Sequence, residues 1–158
     1  MEAPLDFSHP VRFGQCSVCF EPPDTIVVVT AGRMDAETID HVMKALVALA
    51  HGKPYVLHLM DISRLEGLST ESRTATEQSN VIEASRGMAI FGGSITMRII
   101  VSSVLRLYRI LHRRFSLDPV RSFDTEAQAR DWLVKRRGEL QRELSLPVPP
   151  DRQDHDFH

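Results

Sequence analysis

The sequence predicts an α/β domain: a mixed five-stranded sheet in the order β-β-α-β-α-β-α-β-α. Three observations carry this. Strand-like and helix-like segments alternate along most of the chain, which implies parallel strands joined by right-handed crossovers. Residues 55–60, YVLHLM, are almost continuously apolar, as suits an interior parallel strand buried on both faces. Two strand-like segments before the first helix are separated by only Glu21-Pro22-Pro23-Asp24, so they predict an antiparallel hairpin.

In chain order, residues 1–11 read as a flexible lead-in, 12–144 as one domain and 145–158, rich in proline and charge, as a disordered tail. Val18, Cys19 and Phe20 favour a strand within 12–21, and the β-branched run TIVVVT at 25–30 is a second. Asp35 is placed to cap a helix whose Ile39, Val42, Met43, Leu46 and Leu49 share one face. Gly52 ends it and Pro54 prevents its continuation. After the 55–60 strand come Asp61, a linker at 62–68, and a polar helix starting at Ser69 and Thr70 and running to about residue 84. A strand at 87–91 leads through Gly92, Gly93 and Ser94 into a long helix that reaches about Arg114, with Ser94 or Thr96 as its cap. A short strand at 120–123 precedes the final helix. Asp124 or Thr125 caps it, Thr125 with Gln128 has the spacing of a capping box, and Ala129, Trp132 and Leu133 face inward.

At 158 residues the chain has the length of one domain with a substantial core. A net charge of -2 gives no general attraction to nucleic acid or anionic lipid, and the basic residues lack interleaved aromatics, so no nucleic-acid partner is expected. The amino-terminal residues lack the basic-then-apolar pattern of a signal peptide. Arg98, Arg106 and Arg109 interrupt the longest apolar region, so no transmembrane segment is expected. The expected location is cytoplasmic. Cys16 and Cys19 have C-x-x-C spacing, but a strand puts them on opposite faces, and no metal site, cofactor or catalytic residue is expected. Asp61 stands without a partnered acid or base, which makes a poor catalytic case.

The segment DISRLEGLST and the strand–helix order together resemble the STAS family, the sulfate transporter and anti-sigma-factor antagonist domains. Asp61, Ser63, Leu65 and Leu68 match that family's strand-end pattern. Ser69, Thr70, Glu71 and Ser72 stand where it has Asp-Ser-Ser-Gly, and Thr70 falls at its phosphorylated serine. Residues 121–133, RSFDTEAQARDWL, look like a bacterial subgroup of stand-alone STAS-like proteins; the likeness spans roughly 28–137. It implies a half-wound, STAS-like sheet with helices mainly on one face, and non-enzymatic regulation through protein contacts. Because related folds include lipid-transfer domains, an alternative is a lipid or other apolar small molecule bound beneath the helix at 96–114.

The candidate working surface follows from topology. Loops at the carboxyl ends of parallel strands gather on one rim, and each here opens a helix whose free backbone N–H groups favour negative charge. Ser69, Thr70, Asp61 and Ser63 are the candidates for phosphorylation and partner binding. Gly92, Gly93 and Ser94 are candidates for anion binding, although a tight turn is the better reading, since they lack the spacing of a Walker loop or a dinucleotide fingerprint. The long helix is apolar over more of its girth than one sheet face requires. Its extra residues Ile99, Leu107 and Ile110 are interface candidates for a homodimer or another protein.

Overall fold

The computed structural model describes residues 5–69, 84–111 and 120–145. The expected polar helix after Ser69, the segment before 120 and the tail from 146 fall outside these, and so does Thr70. Among the described residues six strands form one sheet in sequence order: β1 (Val11–Phe13), β2 (Cys16–Glu21), β3 (Thr25–Met34), β4 (Val56–Leu68), β5 (Ser85–Phe91) and β6 (Val120–Phe123). The first two pairings are antiparallel and the remaining three are parallel. Three described helices accompany them: α1 (Ala36–Ala50), α2 (Ile95–Leu111) and α3 (Glu126–Ser145).

The mixed α/β architecture is as expected, with one more strand. The segment 12–21 divides because Gly14, at a φ of 62°, turns the chain between Phe13 and Cys16, whose Cα atoms then pair. Glycine reaches this left-handed conformation without a Cβ clash.

A larger departure concerns 62–68, which is strand and not linker. β3 and β4 continue side by side as far as Met34 opposite Leu68, with β4 carrying one extra residue between Asp61 and Arg64 and another between Leu65 and Gly67. The extension persists because it buries apolar surface: Ile62 is fully buried, and Met34 and Leu65 nearly so. The Thr30 hydroxyl donates to the Asp61 carbonyl at 2.9 Å and so bonds the two strands where the register shifts. Irregularities of this kind bend a strand and re-aim the side chains beyond them.

The sheet is covered on both faces. α1 lays Ile39, Val42, Ala45 and Leu46 on one face, against Ile26, Val28, Val56 and Ile62. α2 joins this side through buried Val101, with Met97 and Leu105 packed behind it. α3 covers the other face, where Ala129, Leu133 and Leu140 meet Leu57, Leu59, Ala89 and Phe91. Alternate residues of β4 therefore enter different cores, which is why 55–60 shows no polar alternation. Phe7, ahead of the domain start, packs against the α1-side core, and its carbonyl accepts a 2.7 Å bond from the Phe20 amide.

Candidate functional site

The carboxyl ends of β3, β4, β5 and β6 define one rim, and the caps there are local chemistry. Asp35 accepts from the Thr38 amide at 2.8 Å; that bond holds its carboxyl below the usual carboxylate range. Ser94 caps α2, accepting from the Met97 amide at 3.0 Å. At α3 the expected capping box forms. Thr125 Oγ1 accepts from the Gln128 amide, and Gln128 Oε1 accepts from the amides of Thr125 and Asp124.

Asp61 and Ser63 are brought together as one unit. One Asp61 oxygen accepts from both the Ser63 amide, at 2.8 Å, and the Ser63 hydroxyl, at 2.6 Å. An aspartate bonding forward to its own backbone is a turn-former, and here it fixes the chain where β4 bends. Gly92 and Gly93 lie against this turn, with φ values of 80° and 67°. A Cβ on Gly92 would stand 2.9 Å from the Ser63 Cβ and 3.1 Å from its backbone, while one on Gly93 would meet the Ile62 carbonyl at 3.1 Å. The glycine pair therefore lets two backbones touch. Farther along, Ser69 is tied to the end of β3, its amide donating to the Met34 carbonyl at 3.3 Å. The rim thus places Asp61, Ser63, Gly92, Gly93 and Ser94 side by side, with Ser69 beyond the strand extension.

This packing makes a measurable prediction. Gly92→Ala incurs left-handed strain and a clash with backbone that cannot move aside, at a cost of roughly 2–3 kcal/mol. Gly52 also has a positive φ, 75°, but nothing lies within 4 Å of an added Cβ. Gly52→Ala therefore loses only the strain, about 1 kcal/mol. Urea denaturation of the two variants checks the difference.

At the last part of the rim, Arg98 on α2 reaches across to α3. Its guanidinium pairs with Asp124 at 2.7 Å and contacts the Phe123 carbonyl at 3.4 Å. Beside this pair lies an open groove of about 780 Å³ between α2, β6 and the first turns of α3. Of the interface candidates, Ile99 lines that groove and is 61% exposed. Leu107 and Ile110 belong to α2, but their side chains lie outside the described residues. The described underside of α2 is occupied by its own Met97, Val101 and Leu105 against the sheet, so the open space lies beside this helix.

Two features had weak or no sequence signal. Asp24, buried at the amino-terminal end of β3, holds a bidentate ion pair with Arg137 at 2.8 Å and accepts from the Tyr55 hydroxyl, also at 2.8 Å. His58, fully buried in β4, shares a hydrogen bond with the buried Ser85 hydroxyl. Its Nδ1 has no partner among the described residues. Cys16 is buried and Cys19 half-buried on β2. Burial pushes both thiols above their ordinary value, the opposite of an activated nucleophile.

No protein-family model matches the chain, and no curated protein sequence does. Among solved structures it resembles an uncharacterized DUF3478-family protein with a SpoIIAA-like fold from Shewanella loihica PV-4. That match has 18% identity and a TM-score of 0.54, over 75% of this chain and 91% of the other. It also resembles the anti-sigma factor antagonist SpoIIAA in its unphosphorylated form, at 12% identity and a TM-score of 0.50, over 75% of this chain and 97% of that one. Among the described residues no helix is long and apolar enough to cross a membrane. Sheet order, crossover helices and these two likenesses agree that the chain has the STAS-like α/β fold of SpoIIAA.

Proposed function

We propose that the chain is a non-enzymatic regulatory module that works by binding another protein through its rim, in the cytoplasm. The observation that carries this reading is how the rim's carboxylates are engaged. Asp35 caps α1, Asp61 pins Ser63, and Asp124 pairs with Arg98. Each holds a piece of backbone or a neighbouring helix in place, and among the described residues none hydrogen-bonds to a histidine or to a second acid with which it would shuttle a proton. A pre-ordered surface of helix starts suits recognition with little rearrangement.

Thr70, or Ser69 next to it, is the proposed switch. A phosphate at a helix start is electrostatically tolerated, so it changes the surface and leaves the fold standing. The likeness to SpoIIAA, an anti-sigma factor antagonist solved in its unphosphorylated form, supports this choice. Thr70→Glu is expected to alter the set of proteins captured by the immobilised chain, weakening its principal partner by about tenfold, one charge's worth of mismatch at an interface. Circular dichroism should remain unchanged. Identical capture by wild type, Thr70→Glu and Ser69→Glu would remove the switch.

A further inference from the structure

α2 and α3 both start at the rim and run back toward the amino-terminal ends of the strands, α3 far enough for Arg137 to meet Asp24. They lie on opposite faces of the sheet, and the groove of about 780 Å³ runs between them. Its two walls carry opposite charge. Arg98, Ser102 and Arg106 recur every four residues down α2, so they share one side of that helix. Asp124, Gln128 and Asp131, at the start of α3 and down its first turns, form the line on the other wall. Taken in order from the rim, the two lines match: arginine with aspartate, serine with glutamine, arginine with aspartate. The uppermost match is closed, Arg98 pairing with Asp124 at 2.7 Å. It can close because Asp124 stands just after β6, before α3 begins on the far face. The lowest match is open. Arg106 and Asp131 are both exposed and both line the groove, and neither has an ion pair or hydrogen bond among the described residues. At this depth the edge of the sheet stands between the helices and keeps their side chains apart. Between the two matches, the Gln128 carbonyl is committed to the α3 cap, which leaves its side-chain N–H groups to donate elsewhere.

We propose that this groove binds a small zwitterion with an apolar body, of the class of the aliphatic and aromatic amino acids, its carboxylate on Arg106 and its ammonium on Asp131. An ion of one sign gains from one wall and is repelled by the other, whereas a molecule that carries both signs close together gains from both. The guanidinium takes a carboxylate as a two-pronged pair, and the aspartate accepts from an ammonium. The free N–H groups of Gln128 add donors for the same carboxylate. Toward the rim the lining turns apolar, with Ile95 and Ile99 on the α2 wall and Phe123 on the floor. Ile95 is 70% and Ile99 61% exposed, so a ligand side chain laid on them removes apolar surface that the chain itself leaves in water. A purely apolar ligand would instead cover the two charges and the Gln128 amide without pairing any of them. The groove has the size of a small-molecule site. This binding goes beyond the partner recognition assigned to the rim and does not depend on it.

The test is a titration of the isotope-labelled full chain with leucine, phenylalanine and leucyl-leucine, followed by heteronuclear NMR. At least one of these is expected to bind with a dissociation constant of about 1 mM or below, and to shift the amide signals of Ile99, Ser102 and Gln128. N-acetylation removes the ligand's positive charge and amidation its negative one, and each should weaken binding at least about fivefold. Arg106→Gln should abolish the penalty for amidation and keep that for acetylation. Asp131→Asn should do the reverse. Both positions are exposed, and unchanged spectra outside the groove confirm that the variants fold. If none of the three ligands shifts the groove signals at about 20 mM, well above the expected constant, the proposal is overturned. Capped ligands that bind as tightly as the free ones overturn it as well, and so does binding that neither substitution alters. Thr70→Glu leaves these titrations unchanged, so a failure here is distinct from a failure of the switch on the rim.

Discussion

Asp24→Ala is expected to destabilise the fold by about 3–5 kcal/mol, measured by urea denaturation at pH 7. The Asp24 side chain is 5% exposed and its partner Arg137 26% exposed, so water screens this pair little. Burial by itself raises the Asp24 pKa. Hydrogen bonds from Arg137, Tyr55 and Thr25, with the guanidinium charge, outweigh it and hold the carboxyl below its ordinary value. Removing the carboxylate leaves the Arg137 fork and the Tyr55 hydroxyl without their acceptor, and a half-broken network costs more than the intact one contributes. Arg137→Ala should be comparably harmful at pH 7, because it strands a buried carboxylate. The double variant should lose clearly less than the sum of the two, since the second change removes a group already stranded. Additive losses would mean that the pair contributes nothing jointly. The folded-state pKa is depressed, so the pair's contribution is present above the unfolded value of 3.8 and is lost only as pH falls through the lower folded value. The Asp24→Ala deficit should therefore be the same at pH 7 and pH 5.

The same network shows where sequence reading reaches its limit. Asp24 sits in a proline turn and reads as a turn residue. Its partner lies 113 residues away on α3, and no local pattern connects them. What was legible was local or strongly periodic. The Asp35, Ser94 and Thr125 caps each depend on a residue three positions away. The core strands announced themselves through β-branching at 25–30 and unbroken apolarity at 55–60. The extensions of β3 and β4 did not, because 31–34 and 62–68 each contain a turn-like glycine, Gly32 and Gly67, and are strands only in each other's company. At the rim, the glycine pair after β5 marks a tight turn. The reason for it, the Ser63 backbone 3.1 Å from where a Cβ would stand, belongs to another strand.

His58 gives the second large effect, and it operates in a different pH window. Burial pushes its pKa down from 6.5 to about 4. The cause is its place on the central strand, where Ile26 and Met88 are its register partners and Ser85 its one hydrogen-bonding side chain among the described residues. A proton here would bring a charge into the core, with no counter-ion among these neighbours. The folded state therefore favours neutral imidazole more than the unfolded state does. Stability is full above the unfolded pKa of 6.5 and falls as pH drops toward the folded value. The expected loss is about 2 kcal/mol at pH 5 and about 3 kcal/mol by pH 4. His58→Gln, which keeps a polar group for Ser85 but cannot titrate, should remove most of the pH 7 to pH 5 slope in urea denaturation, whatever it costs at pH 7. The Asp24 pair adds nothing to that slope, because its carboxylate remains charged in both states across the interval. An unchanged slope in His58→Gln would place the acid sensitivity elsewhere and show that the core accepts the imidazolium.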